Sequence, residues 1–330
     1  MKMIQARYEQ RGEEPHTLIK PVELDIPELA ENQVLVEVLA APINPSDLLT
    51  LTGDYGVLPD LPAVGGNEGV GRVAKVGSGV DQPAVGQIVL LPTGSGTWAS
   101  HLIAAASELI ALPGQADPQQ LAMLTINPPT ASLLLSGFVD LEAGDWVIQN
   151  AANSAVGGYL IQLAADRGLK TVNVVRRDSA VDAVKKLGGD VVLVDGPDLD
   201  QQVKAATGKA KIRLGIDAVG GEATERLASC LAPGGSVVNY GMMSGEACQL
   251  SSAHLIFRGI RLTGFWLASW FRKASKEEQM TLFGDLIGKI AAGKLQAPIA
   301  RTFPVEKISD AVLAANQGER DGKILIVPRH

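Results

Sequence analysis

The first third of the chain alternates short apolar runs with turns rich in glycine and proline. Residues 34–39, 69–77 and 87–92 each have the pattern of a strand, because β-branched residues or polar–apolar alternation lie between turn residues. Short strands at this spacing are typical of a small barrel or sandwich. We therefore predict a mostly β domain over residues 1–120.

Beyond residue 120, strand-like and helix-like patterns alternate. Strand patterns occur at residues 146–150, 171–175, 190–194, 214–219, 236–240 and 260–264. Helix patterns lie between the first three of these strands, at residues 156–167 and 179–187. This alternation is characteristic of βαβ units and predicts a doubly wound parallel sheet of the Rossmann type. We assign residues 121–269 to this α/β domain.

The last part of the chain predicts a return to the first domain. A helical stretch at residues 279–292 is followed by an apolar strand at residues 323–327. We therefore expect residues 270–330 to join residues 1–120 in one discontinuous domain, with the α/β domain inserted between them.

Composition and charge agree with a globular protein and exclude several classes. The 330 residues are 46% hydrophobic and 20% charged, which suits two domains and rules out a disordered or fibrous chain. The net charge of −7 argues against general nucleic-acid binding, which needs a basic face. No run of about 18 apolar residues is free of charges, so we expect no membrane span.

Cysteine usage indicates a reducing environment. Cys230 and Cys248 are the only cysteines, too few for a disulfide framework or a four-thiolate zinc site. Residues 1–8 run into a strand pattern and resemble neither a secretory signal nor a transit peptide. We therefore expect a cytoplasmic location.

A turn of small residues follows the first strand of the α/β domain. Residues 150–158 read Asn-Ala-Ala-Asn-Ser-Ala-Val-Gly-Gly, an incomplete G-x-G-x-x-G in which Gly157 takes the helix–strand packing position. Such a turn can place a pyrophosphate on the amides of the helix N-terminus. The alternative is an ordinary βα turn capped by Asn153 or Ser154.

The end of the next strand distinguishes between the two nicotinamide cofactors. NAD sites carry Asp or Glu about 20 residues after the glycine turn. Here that position holds Arg176, followed by Arg177, and residues 172–175 contain no acid. A guanidinium group suits the 2′-phosphate of NADPH, although a solvated arginine pair at a strand end has the same sequence. We predict NADPH.

Four strings resemble the medium-chain dehydrogenase/reductase superfamily: Gly65–Gly71, Gly94–Trp98, Asn150–Gly157 and Leu187–Asp190. The resemblance implies a Rossmann cofactor domain and a mostly β, GroES-like barrel as the catalytic domain. Zinc alcohol dehydrogenases of this superfamily carry a cysteine and a histidine where this chain has Asn44 and Asn67. Because amides are poor zinc ligands, we expect no metal.

Further strings narrow the resemblance: Ala41–Asp47, Gly53–Gly56, Thr125–Ala131, Tyr240–Met243 and Gly264–Trp270. Together they are similar to the 2-enoyl thioester reductases of the mitochondrial fatty-acid-synthesis type, and the Phe-Trp-Leu-x-x-Trp string distinguishes these best from quinone reductases. The resemblance implies NADPH-dependent reduction of the trans-2-enoyl thioesters of coenzyme A or acyl carrier protein.

Tyr55 matches the tyrosine that donates a proton in this family. Hydride addition to the β-carbon builds negative charge on the α-carbon and the carbonyl oxygen, so a nearby acid would assist the reaction. A phenol can supply that proton without a metal. Taken alone, Tyr55 is equally well explained as a turn aromatic packed beneath its own loop.

The resemblance also assigns residues to the two ligands. It implies cofactor contacts for Asn127, Asn153, Ser154, Ala155, Val156, Arg176, Arg177, Tyr240, Met243, Phe265, Trp266, Leu267 and Lys323, and substrate contacts for Asn44 and Trp266. The family often has Arg-Asp-Arg where this chain has Arg-Arg-Asp at residues 176–178, so Arg176 is the safer match. Core packing is the alternative role for residues 265–267.

Two other functions remain open from the sequence. One is a quinone or small-enone reductase of the same superfamily. The other is an NADPH-binding structural or regulatory protein without turnover. Superfamily habit further implies a homodimer formed through the last sheet edge, near Val237–Leu262.

Overall fold

The computed structural model describes residues 2–317 and 321–328, and its contacts divide the chain into two units. Unit 1 contains Met1–Ile126 and Phe283–His330, and unit 2 contains Asn127–Leu282. The boundaries therefore lie at residues 126 and 282, beyond the predicted 120 and 269. The first lies where a new helix starts at Asn127, and the second lies within a continuous helix, which sequence patterns cannot divide.

The strands of the described residues, in chain order, are β1 Lys2–Tyr8, β2 Lys20–Asp25, β3 Gln33–Pro42, β4 Ala63–Val64, β5 Val70–Val76, β6 Ile88–Leu90, β7 His101–Ala105, β8 Ile110–Ala111, β9 Trp146–Gln149, β10 Lys170–Val175, β11 Val191–Val194, β12 Leu214–Asp217, β13 Ser236–Asn239, β14 Arg261–Gly264, β15 Ile299–Phe303 and β16 Lys323–Ile326. Each strand predicted from the sequence is present, with bounds that differ by up to three residues.

The α-helices are α1 Pro15–Leu18, α2 Pro45–Thr52, α3 Pro118–Leu121, α4 Asn127–Ser136, α5 Ala155–Asp166, α6 Val181–Lys186, α7 Leu199–Thr207, α8 Glu222–Cys230, α9 Ser252–Arg258, α10 Leu267–Lys273, α11 Lys276–Ala291 and α12 Ile308–Asn316. Short 3-10 helices occupy Ala106–Glu108, Asp178–Ala180 and Val305–Lys307. Within the described residues, no helix has the length and apolar character needed to cross a membrane.

Unit 1 consists of two sheets that share one core. The larger sheet has the order β15-β16-β3-β5-β6-β8, and β7 also pairs with β3, along Gln33–Glu37. The smaller sheet has the order β2-β1-β4. β16 pairs antiparallel with β3, so the end of the chain does return to the first unit. The core contains apolar residues of both sheets and of α12.

Unit 2 is built on a six-stranded, all-parallel sheet in the order β11-β10-β9-β12-β13-β14. Helices cover both faces of the sheet: α7 and α8 contribute to one apolar core, and α5 and α6 to another. Alternate residues of β10 serve the two sides, with Val172 and Val174 in the first core and Val175 in the second. The predicted doubly wound fold is confirmed.

Candidate functional site

The predicted phosphate turn lies in unit 2, between β9 and α5. Ser154 is the residue that caps α5, since its Oγ accepts a hydrogen bond from the N–H of Gly157 at 3.1 Å. Asn153, the other predicted cap, is exposed. Gly157 leaves no space for a side chain, because a β-carbon there would lie 2.6 Å from the carbonyl oxygen of Ala152. This close approach is the packing role expected from the sequence.

A buried carboxylate braces the turn from the neighbouring strand. Asp217, at the end of β12, is fully buried and its Oδ1 accepts from Asn150 Nδ2 at 2.6 Å. Its Oδ2 accepts from Thr224 Oγ1 at 2.6 Å and from Asn239 Nδ2 at 3.1 Å. These bonds connect the carboxyl ends of β9, β12 and β13. Asp217 was not predicted from the sequence, although an acidic residue at the end of an apolar strand could have indicated it.

Arg176 follows directly after β10, and its side chain is exposed. Because β10 is the parallel neighbour of β9, Arg176 lies at the same sheet edge as the phosphate turn. Arg177 is half-buried at the start of the next 3-10 helix. This edge combines the amides of the first turn of α5 with a guanidinium group, a donor set that fits the phosphates of NADPH.

Tyr240 stands immediately after β13, where its hydroxyl is hydrogen-bonded to Ser154. Burial raises the pKa of this phenol far above its usual value, so it remains neutral at physiological pH. The structure therefore brings together Ser154 and Tyr240, both of which the resemblance assigned to the cofactor. Met243, three residues further on, is exposed.

Phe265, Trp266 and Leu267 link β14 to α10, and all three are half-buried. The Phe265 ring packs edge-on against Phe138, with centroids 5.9 Å apart. The guanidinium of Arg272 lies 4.7 Å from the centroid of the Trp266 ring. Phe265 thus has a packing role, as the alternative interpretation expected.

Asn127 is the first residue of α4 and is buried. Its predicted contact with the cofactor stays a prediction.

Tyr55 lies in unit 1, three residues beyond the end of α2. The amides of Gly53, Asp54 and Tyr55 all donate to the carbonyl of Leu49, at 2.9, 2.9 and 3.2 Å. Asp54 and residues 56–62 are exposed, whereas Tyr55 is half-buried. The backbone of Tyr55 is therefore held at the end of α2, and the residue borders a segment that is otherwise in solvent.

Asn44, the residue that precedes α2, is almost completely buried, with 1% of its surface exposed. Its Nδ2 donates to Glu68 Oε1 at 2.8 Å, and its Oδ1 accepts from the Nζ of Lys323. Both ends of the side-chain amide are thus engaged within unit 1. Each of these bonds uses one N–H or one lone pair of the amide, and the predicted substrate contact of Asn44 stays a prediction.

Lys323, predicted to reach the cofactor, also has internal partners. Its Nζ donates to the carbonyl of Ile43 at 3.0 Å as well as to Asn44, and the residue is buried. The structure brings Lys323 and Asn44 together, a pair that no sequence pattern indicated. The position of the ammonium favours a structural role over the predicted cofactor contact.

Two buried carboxylates complete this cluster, and the sequence analysis assigned neither of them a role. Glu68 Oε2 accepts from the amides of Thr125 and Ile126, each at 2.9 Å. Asp47 accepts at Oδ2 from the amide of Asn44 at 2.7 Å. At Oδ1 it accepts from Asn67 Nδ2, also at 2.7 Å. Both acids lie inside sequence strings that resemble the superfamily, Ala41–Asp47 and Gly65–Gly71. A carboxylate among glycine and apolar residues could have indicated their burial.

Burial governs the protonation of both carboxylates. It raises the pKa of Glu68 to about 7, against the opposing effects of the Lys323 ammonium and the Asn44 amide. It raises the pKa of Asp47 to about 6, against the hydrogen bond from the Asn44 backbone and the charge of Lys323. The cluster therefore changes its charge close to neutral pH.

The side chains of Asn44 and Asn67, which stand at the zinc-ligand positions of related dehydrogenases, serve as hydrogen-bond donors to Glu68 and Asp47. Across residues 2–317 and 321–328, no three or more His, Cys, Asp or Glu side chains are grouped so as to hold a metal ion. Cys230 and Cys248 are both free thiols.

Two family models match the chain. The one described as alcohol dehydrogenase GroES-like domain matches residues 30–114, and the one described as zinc-binding dehydrogenase matches residues 155–283. They agree with the predicted pairing of a GroES-like domain and a Rossmann domain. The zinc in the second name describes that model and assigns no metal to this chain.

The chain is also similar to curated proteins along most of its length. It is 38% identical over 310 residues to the mitochondrial enoyl-[acyl-carrier-protein] reductase of Bos taurus, covering 92% of this chain and 83% of that protein. This finding shows that the expected cytoplasmic location is wrong, since several relatives that match most of the chain are named mitochondrial. Reduced cysteines indicate the redox state of a compartment and do not identify it.

Solved structures match the whole fold. The complex of Etr1p with NADP and crotonyl-CoA has a TM-score of 0.88 at 26% identity, covering 99% of this chain and 100% of that one. The Etr1p/Etr2p heterodimer from Candida tropicalis has a TM-score of 0.87 at 28% identity, with the same coverage. A structure described as a putative NADPH:quinone reductase from Bacillus thuringiensis scores 0.88 at 26% identity and covers 100% of both chains.

Proposed function

Since the chain belongs to the family of mitochondrial enoyl-[acyl-carrier-protein] reductases, we propose that it reduces trans-2-enoyl thioesters to saturated acyl thioesters with NADPH. The observation that carries this proposal is the match to reductases of that name along nearly the whole chain. The resemblance recognised from the sequence motifs is confirmed at the level of the family. The individual roles of the residues below are part of the proposal.

Unit 2 holds the cofactor in this proposal. The amides of the first turn of α5, with Ser154 at its cap, bind the pyrophosphate, and the exposed Arg176 binds the 2′-phosphate. When bound, NADPH supplies the hydride that reduces the β-carbon of the enoyl thioester. Tyr240, which stays neutral and bonds to Ser154, keeps the cap of the turn in place.

Unit 1 supplies the acid. As the β-carbon is reduced, negative charge develops on the α-carbon and the thioester carbonyl oxygen. The hydroxyl of Tyr55 donates its proton to the α-carbon, which completes the addition of two hydrogens across the double bond. The backbone of Tyr55 is fixed by its hydrogen bond to Leu49 at the end of α2. Its side chain is half-buried and so remains partly accessible.

The reaction proposed here needs no metal. The support for this is the chemistry of Asn44 and Asn67, whose amides are weak ligands and are already bonded to carboxylates. Prolonged dialysis against a chelator should leave turnover unchanged, with metal analysis of the dialysed protein as the control. Activity that disappears and returns with one divalent ion would contradict a metal-free mechanism.

Stopped-flow spectroscopy tests the function directly. NADPH oxidation is followed at its nicotinamide absorbance after mixing with crotonyl-CoA, with longer enoyl-CoA esters, or with the corresponding enoyl-acyl carrier protein. Turnover with either carrier supports the proposal, and comparison of kcat/KM between the two shows which acyl carrier the enzyme prefers. NADPH binding without oxidation by any thioester would favour a binding protein instead.

A quinone or small-enone reductase is the second candidate. It is favoured by the structural match to the putative NADPH:quinone reductase, which is as close as the match to Etr1p. A panel of quinones assayed beside the enoyl thioesters separates the two functions. A kcat/KM for quinones that exceeds the value for every thioester would replace the proposed function with this one.

We also propose a homodimer formed through β14, the edge strand of the sheet in unit 2. All four residues of β14 are exposed, and so are Ile256 at 71% and Phe257 at 83% on the preceding helix α9. Exposed edges and apolar side chains of this kind favour association. Sedimentation velocity should show a dimer that Phe257→Glu converts to a monomer. A monomeric wild-type chain at micromolar concentration would contradict the proposal.

A further inference from the structure

Arg11 lies in the loop after β1, within unit 1, and contacts both ends of the segment that carries Tyr55. At the near end, its aliphatic stem packs beneath Gly53, where a β-carbon would lie 3.5 Å from Arg11 Cδ. At the far end, its Nη2 donates to the carbonyl of Pro59. Tyr55 sits between these two contacts along the chain.

The start of the segment depends on a special backbone conformation. Gly53 has a φ of +97°, a left-handed value that ends α2 and turns the chain towards Tyr55. The neighbouring residue of Arg11 reinforces this turn, because the amide of Gly12 donates to the carbonyl of Leu51 at 3.1 Å. The Arg11 loop is thus attached to the end of α2 by backbone and by side chain.

The guanidinium of Arg11 has a second contact, with the side chain of Tyr8. Tyr8, at the end of β1, is buried and its hydroxyl is hydrogen-bonded to Arg11. The Nε of Arg11 is buried. A planar guanidinium fixed on its inner side presents its outer N–H group in one direction, towards Pro59.

Residues 56–62 have little else to fix them. They are exposed, and their apolar members Val57, Leu58 and Leu61 project into solvent to 57%, 38% and 38% of their surface. A segment that buries so little apolar surface has small local stability. Its conformation therefore depends strongly on the polar anchor at Pro59.

We propose that Arg11 is the positioning residue of Tyr55: it fixes the segment from Gly53 to Pro59 so that the phenol is presented in one orientation. The inference rests on the proposed function, in which Tyr55 is the proton donor. Arg11 touches neither substrate nor cofactor in this role. It acts through the backbone on each side of Tyr55.

The first test does not depend on activity. Arg11→Met keeps an unbranched stem beneath Gly53 and removes the guanidinium. Because Pro59 is exposed, water replaces the lost donor and the fold is retained. Hydrogen exchange should become faster in the peptide covering residues 53–59 and stay unchanged in the phosphate turn at residues 150–158. Exchange equal to that of the wild type at residues 53–59 would overturn the inference, whether or not the protein reduces thioesters.

The second test separates positioning from general damage. With a saturating enoyl thioester, Arg11→Met should lower kcat by about tenfold or more while KM and the Kd for NADPH stay within about twofold. In a Tyr55→Phe background the same change should have no further effect on kcat. Losses that multiply in the double variant would show that Arg11 acts independently of Tyr55 and would overturn the inference.

Three further variants complete the design. Tyr8→Phe removes the contact that fixes Arg11 on its inner side but keeps the guanidinium, so its exchange and kcat should lie between those of the wild type and those of Arg11→Met. Arg72→Met removes a surface arginine of the same unit, paired with Glu37 at 3.3 Å, and should change neither quantity. Arg11→Lys keeps the positive charge but lacks the planar guanidinium, so it should show the same faster exchange and the same lower kcat as Arg11→Met. This variant preserves the test if Arg11→Met folds poorly.

Discussion

The Nζ of Lys323 donates a hydrogen bond to the Oδ1 of Asn44, which lies 279 positions earlier in the chain. It is the first of two consecutive hydrogen bonds, because the Nδ2 of Asn44 donates in turn to Glu68. An ammonium can only donate, and the oxygens of Glu68 accept from backbone amides as well as from Asn44. The amide of Asn44 is therefore fixed in one orientation by groups at its two ends.

Replacing Lys323 by Met should destabilise unit 1. The change leaves the carbonyl of Ile43 and the Oδ1 of Asn44 buried without this donor, and it removes the cation that opposes the charge of Glu68 and Asp47. Loss of one member of a buried charged cluster costs about 3 kcal/mol in the free energy of unfolding. Urea denaturation measures the difference.

Lys307→Met is the matched control for Lys323. Lys307 belongs to the same unit but is exposed and lies 3.7 Å from Asp310, so its loss should be nearly neutral. NADPH titration of the folded Lys323→Met variant adds a second readout. A large rise in Kd without loss of stability would restore the cofactor role predicted from the sequence and contradict the structural one.

Glu68 and Asp47 make a contribution to the stability of the protein that should fall as pH rises from about 4 to about 7. Folding raises the pKa of both acids, to about 7 and about 6, so the folded state binds their protons more tightly than the unfolded state. Stabilisation by such groups is complete below the unfolded pKa values and is lost as pH rises through the folded ones.

Glu68→Gln isolates this effect, because glutamine does not titrate. The variant loses an acceptor at the Asn44 contact and should be less stable at pH 5. The difference from the wild type should then shrink towards pH 8, where the wild type has lost its own stabilisation. Urea denaturation at four pH values measures it. A constant difference across that range would mean that Glu68 has an ordinary pKa in the folded protein.

Tyr55→Phe should lower the rate of the chemical step by about 10² or more, since general acid catalysis of this kind contributes a factor of that size. The ring and its packing remain, so the Kd for NADPH should change little. Single-turnover stopped-flow measurements with crotonyl-CoA give the rate, and fluorescence titration gives the Kd. Near-normal rates would remove Tyr55 from the mechanism.

Arg176→Ala should weaken NADPH far more than NADH. A charge-assisted hydrogen bond to phosphate contributes about 1.5–3 kcal/mol, or roughly 10- to 100-fold in Kd. The half-buried neighbour Arg177 provides the matched control, and Arg177→Ala should have the smaller effect. Equal losses for both cofactors in Arg176→Ala would refute the assignment to the 2′-phosphate.

Periodicity was sufficient to predict the sheet of unit 2, because most of its strands are compact apolar runs between turn residues. It was also sufficient to predict the return of the final strand. The helices that it missed include α2 at Pro45–Thr52, α7, α8, α9, α10 and α12. The apolar positions of α2 are interrupted by threonines, and its capping interactions depend on Asn44 and Asp47, neither of which the motifs had indicated as a helix cap.

The candidate site was predictable only where a role depends on local sequence. The turn at residues 150–158 and Arg176 are positioned by one βαβ unit, so spacing identifies them. Lys323 and Glu68 meet at Asn44 through tertiary structure alone, and no periodicity brings those residues together. Arg11 and Pro59 lie 48 positions apart, in two separate segments without regular structure, and no motif describes the hydrogen bond between them.

The discontinuity of unit 1 has a consequence for biosynthesis. Unit 2 is a continuous segment, so all of its strands are available to fold while the ribosome is still adding residues. Unit 1 cannot pair β3 with β16, or satisfy Asn44 and Ile43, until Lys323 has been translated. The unit whose synthesis begins first is therefore the last to be completed. Its apolar strand β3 remains unpaired with β16 during most of translation.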